Sequence, residues 1–293
     1  MRNVRQLEPC QISKPLHFGS LGHWGLEQWF NGVDKETIFA EVIDKYRLEE
    51  VRLQAFGRSY DLHVIAALEG YFRRYPKEQD PWEVLDVEVE WRAPLINPAT
   101  GAASKKFKVG GKMDLLVKGI DGKNWLVEHK FVSNISATQY RCDRLWTNFQ
   151  GAWYVEHASR ALGVEIEGVI FDIVQKSNLK QYQPSKRRPE GETREEFLAR
   201  LLRDYENPDR LERTKITYTK ERMAALNKEV WVIKDNLLTA AREGVDGFYQ
   251  NPDWCFKYNS ACKYYRLCRS DNDEIIARNE YIHCAPNAEL GEG

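Results

Sequence analysis

Apolar residues recur along this chain in two rhythms, and the switches between them mark out its elements. Within residues 21–30 (LGHWGLEQWF), Leu26, Trp29 and Phe30 fall at helical spacing, with His23 and Glu27 one turn apart. Residues 61–75 (DLHVIAALEGYFRRY) repeat that rhythm up to Pro76, which stops a helix. Over residues 84–92 (VLDVEVEWR) the period shortens to two: Val87, Val89 and Trp91 alternate with Asp86, Glu88 and Glu90, as on a strand with one wet face. Residues 107–118 and 124–132 read as two more strands, folded into a hairpin by the turn-forming stretch Gly119-Ile120-Asp121-Gly122-Lys123. A helical stretch over 142–162 closes at Gly163, residues 168–175 (GVIFDIVQ) form an apolar strand, and helices are predicted over 193–205 and 220–242. The order α, β, β, β, α, β predicts an α/β fold with helices against a sheet.

A length of 293 residues exceeds the usual domain of ~100 to 200, yet one elaborated α/β domain absorbs it. With no Gly/Ser or Pro-rich linker and no internal repeat, the expectation is a single domain over 1–293. It comprises a core of about 16–176, a basic loop of about 176–193, a helical segment of about 193–243 and a cysteine-rich tail of about 250–285. No apolar run reaches the ~18 to 20 residues that span a bilayer, and MRNVRQLEPCQISK lacks a signal peptide's apolar core, so a cytoplasmic protein without a membrane partner is expected. In that compartment six cysteines read as thiols or metal ligands rather than disulfides. A net charge of −1 does not by itself mark a nucleic-acid binder, though a local basic groove around an acidic centre averages to the same value.

The stretch GGKMDLLVKGIDGKNWLVEHK concentrates the chemistry. If Ile120-Asp121-Gly122 forms a three-residue loop with Gly122 left-handed, Asp114 comes opposite Glu128, and Lys130, two residues on, projects from the same face. A two-residue Asp121-Gly122 turn would instead set Asp114 opposite His129 and send Glu128 to the other face. Charges among Leu115, Leu116, Val117, Leu126 and Val127 cost several kcal/mol unless paired or metal-bound. A hard divalent cation, Mg2+ or Mn2+, on the two carboxylates would activate water and offset phosphate charge, with Lys130 orienting the nucleophile. An ordinary Glu/Lys pair at the wet edge of a sheet uses the same residue types.

These residues, taken in order, resemble the PD-(D/E)XK nuclease superfamily, in particular its RecB-like branch of CRISPR-associated and phage exonucleases. The pattern is His23 in GSLGHWGLE, Asp114 in GGKMD, Glu128-His129-Lys130, and Gln150-Gly-Ala-Trp-Tyr154. The resemblance covers roughly 16–176 and resumes at the terminal cysteines. It implies a restriction-endonuclease-like core, a mixed central sheet flanked by helices, with a helical and cysteine-rich C-terminal elaboration. It further implies that Asp114, Glu128, the His129 backbone carbonyl and His23 contact the metal, that Lys130 serves catalysis, and that Gln150 and Tyr154 position DNA or the active-site residues. Taken singly, His23 reads as a surface histidine beside Trp24, Gln150 and Tyr154 as a polar pair on an amphipathic helix, and Glu88 and Glu90 as solvated strand residues.

Cys255, Cys262 and Cys268 lie close together in WCFKYNSACKYYRLC, and thiolates favour zinc or iron–sulfur sites with four protein ligands. Cys10 or Cys284 would be the fourth, and the resemblance implies a 4Fe–4S cluster joining one early and three late cysteines. The alternatives are a Zn2+ site and unliganded thiols; Cys142 reads as structural. The loop cations Lys176, Lys180, Lys186, Arg187 and Arg188 could follow a phosphate backbone and Tyr182 stack on a base, or the segment is a mobile solvated loop. The function expected is a metal-dependent deoxyribonuclease, acting as an exonuclease on single strands or duplex ends in recombination, repair or phage DNA processing, in a host cytoplasm if phage-encoded. By resemblance a helicase or recombinase would be its partner. The alternatives are an inactive nuclease-fold DNA-binding module and a metal-stabilised interaction protein.

Overall fold

The computed structural model describes residues 6–10, 14–49, 59–135, 145–186, 188–248, 252–256, 261–270 and 273–284. Contacts divide the chain into two compact units. A sheet unit holds Ser13–Ala93 and Val109–Met223, and a terminal unit holds Met1–Ile12, Pro94–Lys108 and Ala224–Gly293.

The sheet unit is mixed α/β. Its helices are α1 (Lys14–Phe30), α2 (Lys35–Glu49), α3 (Tyr60–Arg74), α4 (Phe149–Leu162) and α5 (Arg194–Asp204). A five-stranded sheet has the order β2 (Trp82–Ile96), β3 (Ala103–Gly119), β4 (Asn124–Val132), β5 (Ile166–Gln175), β6 (Leu211–Thr217). The pair β3–β4 is antiparallel, β4–β5 parallel and β5–β6 antiparallel. β5 sits inside the sheet, and all but its second and last residues are buried, which is why it reads as a continuous apolar run rather than an alternation.

Side chains alternate across β4 and so divide the packing. On one face Trp125 and Val127 join a core with Leu115, Val117 and Ile170, against which Phe30 of α1 packs. On the same face Phe131 fills the space beside Gly22, where a Cβ would come within 2.3 Å of its ring. The other face carries Glu128 and Lys130 beneath α4. Of the helix predicted over 142–162, residues 142–144 lie outside the described residues and 145–146 are helical; α4 itself begins at Phe149, where Asn148 accepts a hydrogen bond from the Gly151 N–H and caps it, and Gly163 ends it with φ 67°. Thr193 and Glu196 form a reciprocal capping box that starts α5.

The segment predicted as a mobile basic loop is folded on itself. Glu192 accepts from Arg200 Nε (2.8 Å) and Nη2 (2.7 Å) and from the Tyr182 N–H (2.9 Å), and the Arg200 guanidinium lies 4.2 Å from the Tyr182 ring centroid. Arg188 is bonded to the Gly191 carbonyl and to Glu196. Lys176 lies over Phe18, and its pKa falls through burial. Several of the loop's charges thus close the loop itself; Arg187 lies outside the described residues.

In the terminal unit β1 (Leu7–Pro9) pairs antiparallel with β7 (Tyr281–His283). Leu7, Tyr281 and Leu267 form its core, the last on the short α7 (Tyr265–Arg269), with Ile276 of α8 (Asp273–Glu280) against them. The long α6 (Lys220–Arg242) spans the residues predicted helical. No helix among the described residues is long and apolar enough to cross a membrane.

Candidate active site

The hairpin decides where the carboxylates meet. Gly122 takes φ 74°, and the Gly119 N–H donates to the Lys123 carbonyl at 2.9 Å, closing the three-residue loop. The register follows: Lys118↔Asn124, Val117↔Trp125, Leu116↔Leu126, Leu115↔Val127. One step further the register brings Asp114 level with Glu128. There the Asp114 Oδ2 accepts from the His129 N–H at 2.7 Å, so a side chain takes up a backbone donor.

Around this point the predicted residues gather. His23 Nδ1 of α1 lies 3.2 Å from Asp114 Oδ1. Lys130 Nζ donates to Glu128 Oε1 at 2.5 Å and to Gln150 Oε1 at 2.9 Å, and Gln150 Nε2 donates to Tyr154 Oη at 3.0 Å. Gln150 and Tyr154, one helical turn apart, carry the chain of polar contacts onto α4. The site thus draws on two strands and two helices of the sheet unit.

Burial and mutual repulsion set the charges. Burial lifts the Glu128 carboxyl, the Asp114 charge lifts it further, and Lys130 and His23 pull it back, leaving it at about 7. Burial also opposes ionised Asp114, but the hydrogen bond and charge of His23, with His129, outweigh it and hold the carboxyl below its ordinary range. For His23, burial opposes the charge and Asp114 overcomes it, raising the pKa. Asp114 is therefore the resident anion, and Glu128 the carboxyl that takes up a proton more readily.

Glu88 also belongs to this neighbourhood, not to the solvated strand face expected of it. It is paired with Lys112 at 2.7 Å, takes φ 54°, and burial, partly offset by Lys112 and aided by Asp114's charge, raises its pKa. Glu90 stays exposed.

Directly behind the site lies a second polar cluster. His129, Asp172 and Arg213 are cross-strand neighbours on β4, β5 and β6. Tyr71 Oη donates to Asp172 Oδ2 at 2.6 Å, Arg213 Nε donates to the same oxygen at 3.0 Å, and Arg213 Nη1 donates to Asp80 at 2.6 Å. Burial raises the Asp172 carboxyl to about 6 against the pull of Arg213 and Tyr71, and burial drives His129 down to about 3, a neutral ring. Sequence reading missed β6 and hence Arg213, because Leu211 and Ile216, its buried apolar residues, are out of phase for a period of two. The signal present was Asp172 itself, an acid inside GVIFDIVQ that requires a cationic partner.

The cysteines lie in the terminal unit. The Cys10 N–H donates to the Glu280 carbonyl and the Cys284 N–H to the Gln6 carbonyl, so they stand at opposite ends of the β1–β7 ladder. Cys262 N–H donates to the Cys255 carbonyl at 2.6 Å. Tyr281 Oη donates to the carbonyl of Lys263, the neighbour of Cys262, at 2.6 Å, and Tyr281 packs with Leu267, the neighbour of Cys268. Tyr281 pairs with Pro9, the neighbour of Cys10. None of the five described cysteines is in a disulfide, and Cys142 lies outside the described residues.

Among the described residues no three His, Cys, Asp or Glu side chains converge as a ready-made metal cage. In the candidate active site their oxygens are taken up internally: Asp114 by His23 and the His129 N–H, Glu128 by Lys130. The donor chemistry nevertheless suits a hard cation, since two buried carboxylates repel each other there.

No protein-family model matches the chain, and no curated protein matches it. Among solved structures it is similar to one titled "Crystal structure of SSO0001", with a TM-score of 0.30 and 14% identity over 74% of this chain and 86% of that one. A likeness of that size carries no argument about fold family or activity.

Proposed function

We propose that this chain is a divalent-metal-dependent deoxyribonuclease with a restriction-endonuclease-like core, its cleavage centre formed by Asp114, Glu128 and Lys130. The supporting observation is a pair of polar chains, His23–Asp114–His129 N–H and Glu128–Lys130–Gln150–Tyr154, which the hairpin register sets side by side although their residues span 131 positions of sequence. Asp114, Glu128, the His129 carbonyl and His23 would hold Mg2+ or Mn2+, which when bound supplies an activated water and offsets charge at the phosphate. Asp114, kept ionised by His23, presents the anionic anchor. Lys130, held by Glu128 and Gln150, would orient the attacking water and stabilise negative charge on the phosphate. His23, hydrogen-bonded to Asp114, fixes the direction of that carboxylate. Exonuclease-type processing of DNA, a helicase or recombinase partner and a cytoplasmic setting extend the same reading.

The cysteines form the second part of the proposal, a thiolate site for a 4Fe–4S cluster or Zn2+. Cys255, Cys262 and Cys268 would be joined by Cys10 or by Cys284, which stand at opposite ends of the β1–β7 ladder. Protein purified without oxygen should carry visible absorption or bound zinc, lost in Cys262→Ser, and whichever of Cys10→Ser and Cys284→Ser also loses it identifies the fourth ligand.

The decisive assay uses labelled single- and double-stranded DNA with Mg2+, Mn2+ or EDTA. Metal-dependent cleavage abolished by Asp114→Ala and by Lys130→Ala, each folded by circular dichroism, is the expected result. Equal cleavage by wild type and either variant overturns the assignment.

A further inference from the structure

Aromatic side chains usually hide, yet two of those near the candidate site do not. Trp146 is 42% exposed and Phe149 40% exposed, and both flank Asn148, whose side chain caps α4 by accepting from Gly151 N–H at 3.1 Å. The Phe149 ring meets that of Trp153, one turn on, at 5.4 Å with a tilt of 30°. Trp153 is held in place: its Nε1 donates to the Gly110 carbonyl at 3.4 Å, and its ring abuts His157 edge-on at 4.5 Å. The Phe149 and Trp153 rings therefore form a fixed ledge on one side of α4, and Trp146 is exposed two residues before the Asn148 cap. The next residue after Phe149 is Gln150, whose amide oxygen accepts from Lys130 Nζ.

We propose that Trp146, Phe149 and Trp153 are a stacking ledge for unpaired nucleobases, selecting single-stranded DNA or frayed ends. The inference rests on the nuclease reading above and names the substrate class of that site. A strand whose phosphate lies at Asp114, Glu128 and Lys130 carries its neighbouring bases within a nucleotide or two of α4. Bases inside a duplex have both faces covered by their neighbours, whereas unpaired bases offer a free face to an aromatic ring. Flat rings suit this task better than aliphatic side chains, because stacking tolerates any base. Tyr182, the base-stacking candidate suggested by sequence, already has the Arg200 guanidinium on its ring.

The test measures binding by fluorescence anisotropy in EDTA with the full chain. The probes are a labelled 20-nucleotide oligo-dT, a duplex of equal length and an abasic oligomer with the same phosphates and no bases. Wild type should bind oligo-dT roughly fivefold to tenfold more tightly than the abasic strand. Trp146→Ala and Phe149→Ala should each erase most of that difference while leaving abasic binding unchanged, and Trp146→Phe should restore part of it. Equal binding of oligo-dT and abasic strand by wild type overturns the ledge. So does a change of oligomeric state in the alanine variants with unchanged DNA binding, which would make the rings a protein interface. Cleavage by wild type with Mn2+ separates the two readings. Base-dependent binding without any cleavage retains the ledge and rejects the nuclease, whereas Asp114-dependent cleavage without base dependence does the reverse.

Discussion

Glu128, His129 and Lys130 are consecutive, yet they serve two regions of opposite character. Glu128 and Lys130 point toward α4 into a site where Lys130 keeps 31% of its side-chain surface exposed. His129 points the other way, 2% exposed, toward Asp172 and Arg213. In the first region like charges are pressed together and the Glu128 carboxyl is lifted to about 7. In the second, Arg213 and Tyr71 answer the buried Asp172 charge. One arrangement spends stability on a site that can engage a cation and a phosphate; the other ties three strands together. The contrast teaches that polarity within a buried strand is no evidence of activity until the partners are known.

The largest expected effect lies on the first side. Glu128→Gln should lower DNA cleavage on the order of 10³-fold, while its urea midpoint stays level or rises because the repulsion with Asp114 is gone. Steady-state cleavage and urea unfolding, run on one preparation, check both halves; a midpoint that falls with the activity would erase the contrast.

Arg213→Met should show the reverse. It strands Asp172 and Asp80 without their cation, and breaking such a buried pair typically destabilises by about 3–5 kcal/mol. Cleavage measured well below the unfolding temperature should stay within severalfold of wild type. Loss of cleavage at unchanged stability would move Arg213 into the active site.

His129→Leu sharpens the comparison through pH. The His129 ring has a folded pKa of about 3 against an ordinary 6.5. The unfolded chain therefore binds this proton first, and the residue's contribution to stability, complete above pH 6.5, is lost as pH falls toward 3. Removing the ring should make the variant more acid-resistant than wild type, by about 2 kcal/mol at pH 5 relative to their difference at pH 7. Thermal unfolding from pH 4.5 to 7.5 reads this directly, and a parallel pH profile for the two proteins would refute it. Smallest is Gly122→Ala, whose φ of 74° disfavours a Cβ and should cost about 1 kcal/mol.

Much of this was legible in the chain. Asn124–Val132 and Lys220–Arg242 have the bounds predicted for them, and the left-handed Gly122 selects the first of the two hairpin registers that the sequence offered. These are local properties, governed by period, turn chemistry and capping within a few residues. By contrast α2 went unread, and so did β6; the stretch predicted as one helix is broken at Thr147 and Asn148, where the Asn148 side chain caps α4. Glu88 read as a wet strand residue because its partner Lys112 lies on another strand.

The sequence by itself determined the α/β alternation and the residue types of the candidate centre. Only the tertiary structure decided that His23 reaches Asp114 across 91 positions, and that Asp172 finds Arg213 across 41. Period and turn signals act over a few residues, whereas the environment that sets a charge's pKa and partner is assembled from strands and helices that meet only when the sheet has formed.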